Sequence, residues 1–187
     1  MKNSTPRPTV LVFAGPNGSG KSTITRGMAT HGTYINADDI KAEYGLTDLE
    51  AAQQAEKLRK NLLDKHSCFS FETVLSTDRN LLLLKRAKEK GYEIACIYVL
   101  TCDENINVAR VKSRVASGGH DVPEDKIRSR YHRALALLPE LILICDKILI
   151  FDNSDLPELV FEKDSLSKKL HANRFWSESK LESLIKL

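Results

Sequence analysis

No stretch of this sequence is apolar for long enough to cross a bilayer. The longest runs, Ile94 to Leu100 and Leu135 to Ile144, fall short of the ~20 residues that a spanning helix needs. The opening residues, Met1 to Thr9, are polar and carry Pro6 and Pro8 where a secretory leader has an apolar core. A cytoplasmic protein with no membrane partner is therefore expected. Cysteine is scarce and scattered. Cys68, Cys96, Cys102 and Cys145 form no CxxC pair, so nothing in their spacing supports a zinc site, and reduced, buried or half-buried thiols are expected. The net charge of +3 is too small to argue by itself for a polyanionic partner. There is no Asn-Lys-x-Asp tetrad to select guanine, which disfavours a GTP switch. No strand-like run ends in the Asp-Glu pair of motor ATPases, which argues against a mechanical role. Internal repeats and low-complexity segments are absent as well.

What the 187 residues do contain is an alternation of strand-like and helix-like segments. Thr9 to Phe13 reads as a strand, Ser22 to Thr30 as a helix, and Thr33 to Asn36 as a short strand. Leu49 to Lys65 is amphipathic, with Ala51, Ala55, Leu58 and Leu62 on one face. Strands follow at Cys68 to Thr73, Tyr92 to Leu100 and Lys147 to Phe151. Helices are expected at Asp78 to Lys90, Glu104 to Ala116 and Pro123 to about Leu138. This order predicts an α/β fold: a three-layer sandwich around a five-stranded parallel sheet, its crossovers right-handed. A single domain over residues 1–187 is expected, with an irregular extension at about 155–187 in which Leu159 to Phe161 suggests a small strand and Ser177 to Ile185 a helix. Ligands of such sheets bind at the carboxyl ends of the strands.

The first strand ends in Gly15-Pro16-Asn17-Gly18-Ser19-Gly20-Lys21-Ser22-Thr23, the GxxxxGK[ST] pattern between a strand and a helix. In that context the backbone N–H groups of Gly15, Asn17, Gly18, Ser19 and Gly20 turn toward phosphate oxygens. Lys21 should reach the β- and γ-phosphates, and the Ser22 hydroxyl, next to Thr23, should ligate Mg²⁺. The fold expected is thus that of a P-loop NTPase of the nucleoside-monophosphate-kinase type.

The other strand ends supply the remaining candidates. Asn36-Ala37-Asp38-Asp39 closes the second strand. One carboxylate there could take a proton from a substrate hydroxyl, and one could cap the helix starting near Ile40; both uses can hold, one Asp for each. Glu72, at the end of the third strand, is a candidate for substrate hydroxyls or the metal shell, or else half of an ion pair with a lysine or arginine. Ser76 or Thr77 should cap the next helix, and Thr101-Cys102-Asp103 the one after the fourth strand. Asn153 and Ser154, after the fifth strand, would border the base of a nucleotide or simply form a turn. From Arg110 to Arg133 run Arg110, Lys112, Arg114, Lys126, Arg128, Arg130 and Arg133, broken by Gly118-Gly119-His120-Asp121-Val122-Pro123. Two basic helices joined by a glycine turn read as a short lid at about 110–133 that brings arginine onto a transferring phosphoryl group. Most of these cations belong to a solvated face. Nucleic acid is disfavoured because no aromatic platform is interleaved with them; Tyr131 falls on the apolar face of its helix.

Together, GPNGSGKST, NADDIK, FETVLS, GGHDVP with RSRYHRAL, and FDNS resemble the zeta-toxin family of small P-loop kinases, over roughly Thr9 to Ser154. The resemblance implies an ATP- and Mg²⁺-dependent kinase acting on a sugar hydroxyl of UDP-N-acetylglucosamine, and an antitoxin protein as partner. It implies Lys21 as the phosphate lysine, Asp38 as general base, Glu72 as a sugar ligand and Arg114 as the lid arginine. With Asp39 beside the base, His120 stands where toxins place a second lid arginine; either Arg128 or Arg130 takes over that contact, or His120 reads a different substrate. The chain is small for such a toxin, so toxicity does not follow from the likeness.

Overall fold

In the computed structural model, which describes residues 6–186, the strands are β1 (Thr9–Ala14), β2 (Thr33–Ile35), β3 (Phe69–Thr73), β4 (Glu93–Leu100), β5 (Lys147–Asp152), β6 (Glu158–Lys163) and β7 (Lys168–Leu170). The helices are α1 (Lys21–Thr25), α2 (Ala37–Tyr44), α3 (Asp48–Asp64), α4 (Arg79–Glu89), α5 (Glu104–Ala116), α6 (Glu124–Ile144) and α7 (Glu178–Ile185). β1 is apolar at every position from Val10 to Ala14, and all five side chains are buried, as a central parallel strand covered on both faces requires.

The sheet order is β2-β3-β1-β4-β5-β6-β7. The first five strands pair in parallel, as the alternation predicted. The sheet nevertheless has seven strands rather than five, because β6 and β7 add an antiparallel hairpin to β5. The expectation of an irregular extension is corrected accordingly: Val160 and Phe161 are fully buried against the main core, and Trp176, Leu181 and Ile185 of the following segment join it. Both edge strands, β2 and β7, are only three residues long.

Several boundaries moved for identifiable reasons. α1 stops at Thr25 rather than Thr30, since Arg26 turns extended and Gly27 takes a left-handed φ of 84°. α6 runs through Pro139 to Ile144. The hydrogen bond lost at that proline is outweighed by packing, for Leu138, Leu141, Ile142 and Ile144 are all buried in the core. α4 is preceded by Asp78, and neither Ser76 nor Thr77 caps it. α3 carries a reciprocal cap between Thr47 and Glu50. Among the described residues no helix is long and apolar enough to cross a membrane.

Candidate active site

The loop after β1 is gripped on two sides. From α5, the fully buried Asn107 donates its amide to the Asn17 carbonyl at 2.6 Å. From the segment after β5, Asn153 donates its amide to the Ser19 carbonyl at 2.8 Å. Glycine is forced at three positions of the loop. A Cβ on Gly15, whose φ is 140°, would sit 2.0 Å from the Val99 carbonyl oxygen of β4, one on Gly18, with φ of 76°, 2.5 Å from the Asn107 carbonyl oxygen, and one on Gly20, with φ of 88°, 2.1 Å from Nδ2 of Asn153. Asn153 therefore holds the loop from behind, and neither it nor Ser154 lines the cleft in front. Asn153→Ala should orphan a buried carbonyl at a cost of about 1–3 kcal/mol. That corresponds to a fall in Tm of roughly 2–12 °C for a chain of this size, read by calorimetry, and nucleotide affinity should fall with it.

The Lys21 ammonium folds back onto the loop, donating to the carbonyls of Gly15 at 2.7 Å and Pro16 at 3.0 Å. Burial pushes its pKa down to about 8, against the opposing pull of the Glu72 and Asp38 carboxylates, while Arg114 reinforces the drop. Ser22 and Thr23 are exposed on the cleft side of the loop. Ser19 is fully buried, and its hydroxyl finds no partner among the described residues.

At the end of β2 the cap of α2 is Asn36, whose side chain accepts from the Asp38 N–H at 3.0 Å. Neither Asp is consumed by capping. Asp38 is exposed and lines the cleft; Asp39 is exposed and is not part of the cleft wall. At the end of β3 the half-buried Glu72 has neither lysine nor arginine for an ion-pair partner among the described residues. It accepts a hydrogen bond from the Tyr34 hydroxyl of β2 at 2.7 Å. Burial and this carboxylate both push the Tyr34 phenol well up. The next turn places Leu75, 1% exposed, at a left-handed φ of 54°, a conformation costing about 1–2 kcal/mol outside glycine. The Thr73 hydroxyl steadies it by accepting from the Leu75 N–H at 2.9 Å and from the Asn80 amide at 2.7 Å.

α5 and α6 pack against each other through a small core of their own, Val108, Val111, Val122 and Ile127. Asp103 caps α5, as expected, accepting from the Asn105 N–H at 2.7 Å. Arg114 lines the cleft and donates to the His120 carbonyl at 2.8 Å. His120 itself is exposed outside the cleft wall. Arg128 is held by Glu124 at 2.8 and 3.0 Å and by Glu104 at 2.8 Å, so its guanidinium serves the joint between the two helices. Arg130 donates to the Asn17 side-chain oxygen at 3.4 Å and does not itself line the cleft.

These elements enclose a cleft of about 580 Å³. Lys21, Arg59, Arg110 and Arg114 face Asp38 and Glu72 across it, an excess of positive charge suited to a triphosphate. Arg110 is one of the cations of the expected lid, whereas Arg59, Tyr34 and Asn107 had no signal in the sequence: a lone residue on a helix or edge strand acquires a role only when the chain folds around it. One Nη of Arg110 is buried without a partner among the described residues, and the other donates to the Ser154 carbonyl at 3.5 Å. No group of three or more His, Cys, Asp or Glu side chains among the described residues could hold a metal by itself. An exposed serine hydroxyl beside the phosphate loop fits Mg²⁺, which is commonly held by few protein ligands together with substrate phosphates.

Comparison with known proteins agrees with this architecture. Residues 1–163 match the family model described as Zeta toxin. An uncharacterized protein of Haemophilus influenzae is 33% identical over 127 residues, covering 65% of this chain and 91% of the relative. Among solved structures, a chain of the AvrRxo1-ORF1:AvrRxo1-ORF2 complex with sulphate ions superposes with a TM-score of 0.72 at 13% identity, over 96% of this chain. This chain spans 64% of that larger protein; the same complex has also been solved with ATP. A chain of the PezAT chromosomal toxin–antitoxin system of Streptococcus pneumoniae superposes with a TM-score of 0.57 at 21% identity, covering 98% of this chain and 85% of its own.

Proposed function

Because this chain belongs to the zeta toxin family, we propose that it moves the γ-phosphoryl group of ATP onto a hydroxyl of a small molecule. One observation carries the reading: a free carboxylate, Asp38, shares a cleft with the phosphate lysine Lys21 and the lid arginine Arg114. The kinase-like family and a structural neighbour solved with ATP support the same donor.

In this reading the N–H groups of Asn17, Gly18, Ser19 and Gly20 and the Lys21 ammonium hold the triphosphate. Lys21 must release the Gly15 and Pro16 carbonyls to do so. Bound Mg²⁺ would neutralise phosphate charge, with Ser22 as its protein ligand. Asp38 accepts the proton of the acceptor hydroxyl. The acceptor oxygen then forms a bond to the γ-phosphorus, while the bond from that phosphorus to the β–γ bridging oxygen breaks and ADP leaves with the electron pair. Arg114 meets the charge developing on the transferring group. Glu72, oriented by Tyr34, hydrogen-bonds hydroxyls of the acceptor and so aims the reacting one at Asp38.

A UDP-N-acetylglucosamine-type sugar nucleotide is the acceptor that the family favours. The reaction is placed in the cytoplasm, with an antitoxin protein as partner. The decisive experiment incubates the protein with ATP, Mg²⁺ and a panel of UDP-sugars, nucleosides and free sugars, and reads each mixture by mass spectrometry. One acceptor should gain a single phosphoryl group in step with ADP release; ATP hydrolysis alone, with no phosphorylated acceptor, would sink the kinase reading. If the chain is toxic, its expression should arrest growth and Lys21→Ala should relieve the arrest.

A further inference from the structure

The turn after β5 sends three successive residues in three directions. Asn153 clamps the phosphate loop through the Ser19 carbonyl. Ser154 accepts from the Cys102 N–H at 2.8 Å through its hydroxyl, and from Arg110 at 3.5 Å through its carbonyl. Asp152, which precedes them, is only 1% exposed, and a buried carboxylate is costly unless hydrogen bonds satisfy it. Among the described residues every donor that reaches it is neutral. Oδ1 takes the Ser154 N–H at 3.1 Å and the Ser154 hydroxyl at 2.5 Å. Oδ2 has a single donor there, the side-chain amide of Asn173 at 2.9 Å.

Asn173 comes from the segment between β7 and α7, beyond residue 163, where the family match ends. Its amide is shared. It also donates to Glu158 at 2.7 Å, and Glu158 stands opposite Asp152 in the antiparallel pair of β5 and β6. Like charges facing each other across such a pair repel. One neutral amide thus bridges two carboxylates that would otherwise push the β5–β6 turn open. A tight turn locks that amide. Asn173 Oδ1 accepts from the Phe175 and Trp176 N–H groups, both at 2.9 Å, and Trp176 is buried in the main core. Arg174, stacked 4.5 Å over the Phe175 ring, pairs with Asp155 of the β5–β6 turn.

We infer that Asn173 is a positioning residue for nucleotide binding: by holding Asp152 it fixes the Asn153 clamp, and through the clamp the phosphate loop, although it is not part of the cleft wall. This rests on the reading of that loop as the ATP site. It gives the C-terminal segment a part in donor affinity beyond its share of the core.

The test is a double-mutant cycle. A non-hydrolysable ATP analogue is titrated calorimetrically, at a temperature where every variant is folded, into the unmodified protein, Asn173→Ala, Asn153→Ala and the double variant. Asn173→Ala should weaken binding by about threefold to tenfold. The double variant should bind no more weakly than Asn153→Ala alone, because the two residues act in series. Leu181→Ala, which opens the core beside the same segment, should lower Tm and leave affinity unchanged; that contrast separates positioning from general loss of stability. Should Asn173→Ala fail to fold, Asn173→Ser carries the same expectation, since it keeps an oxygen for the Phe175 and Trp176 N–H groups and drops the amide. Unchanged affinity in the Asn173 variant, losses that add to those of Asn153→Ala, or an equal loss in Leu181→Ala would each overturn the proposal. A non-additive loss of affinity without phosphoryl transfer to any hydroxyl would leave Asn173 in its role and remove the kinase reading. Transfer by a protein whose nucleotide affinity is indifferent to Asn173 would do the reverse.

Discussion

Asp38→Asn should lower the rate of phosphoryl transfer by about 10²–10⁴-fold, the usual worth of a positioned general base, without dislodging nucleotide. Asparagine keeps the shape of the side chain but cannot accept the hydroxyl proton. The fold has little stake in the carboxylate, because α2 is capped by Asn36 and what Asp38 contributes to that cap is its backbone N–H. Thermal stability should therefore change little. Nucleotide affinity should hold or tighten, since the change removes a negative charge beside the triphosphate. The measurement is a coupled ADP-release assay run alongside calorimetric titration of a non-hydrolysable ATP analogue. Normal turnover by the variant would remove Asp38 from the chemistry, and loss of nucleotide binding would assign it to the donor site.

The second large effect belongs to Lys21. Replacement by alanine removes charge-assisted hydrogen bonds worth about 1.5–3 kcal/mol each, so nucleotide affinity should fall roughly a hundredfold and transfer should disappear. The unmodified protein offers a finer test through pH. Burial holds the Lys21 pKa at about 8 in the ligand-free protein, and an adjacent triphosphate would raise it again. The complex then retains a proton that the free protein loses as pH climbs through about 8. Affinity should be level below that point as far as this group is concerned, and should decline above it by up to ~tenfold per pH unit. Proton uptake on binding, read by calorimetry in buffers of different ionisation heat, should appear near pH 8 and be lost in Lys21→Ala. Stability of the empty protein carries the opposite slope. The folded pKa lies below the unfolded one, so between about 8 and 10.5 the unfolded chain holds more protons, and the Lys21 contribution to stability rises with pH across that interval.

The parallel strands and the loop that follows β1 were legible because their signals are local: continuous apolar runs, glycines at fixed spacing, a lysine and a serine after them. Carboxylates at strand ends were legible by the same logic, and both Asp38 and Glu72 reach the cleft. What the sequence hid is relational. Tyr34 looks like any aromatic in a three-residue strand until β2 lies beside β3 and its hydroxyl meets Glu72. Arg59 looks like one more solvated cation on an amphipathic helix until α3 lays it over Phe71. Arg128, one of a crowd of lid arginines, is drawn off by Glu104 from a different helix, while Arg110 and Arg114, one helical turn apart on α5, both line the cleft. The hairpin of β6 and β7 was half visible at Leu159 to Phe161; Lys168-Lys169-Leu170 has no strand pattern of its own and pairs because β6 is already in place.

The two short edge strands have a bearing on company as well as on shape. A partner that recognises a sheet by adding a strand to it needs a long, open rail of backbone groups. Here each margin offers three residues, and one begins with two consecutive lysines, a combination that discourages strand addition. Self-stacking into fibrils is resisted by the same geometry. A neutralising protein would have to read helices or loops, or stop the mouth of the cleft. An escape mutation that frees this chain from such a protein should accordingly map to side chains on α2, α3 or the lid and leave the sheet margins untouched.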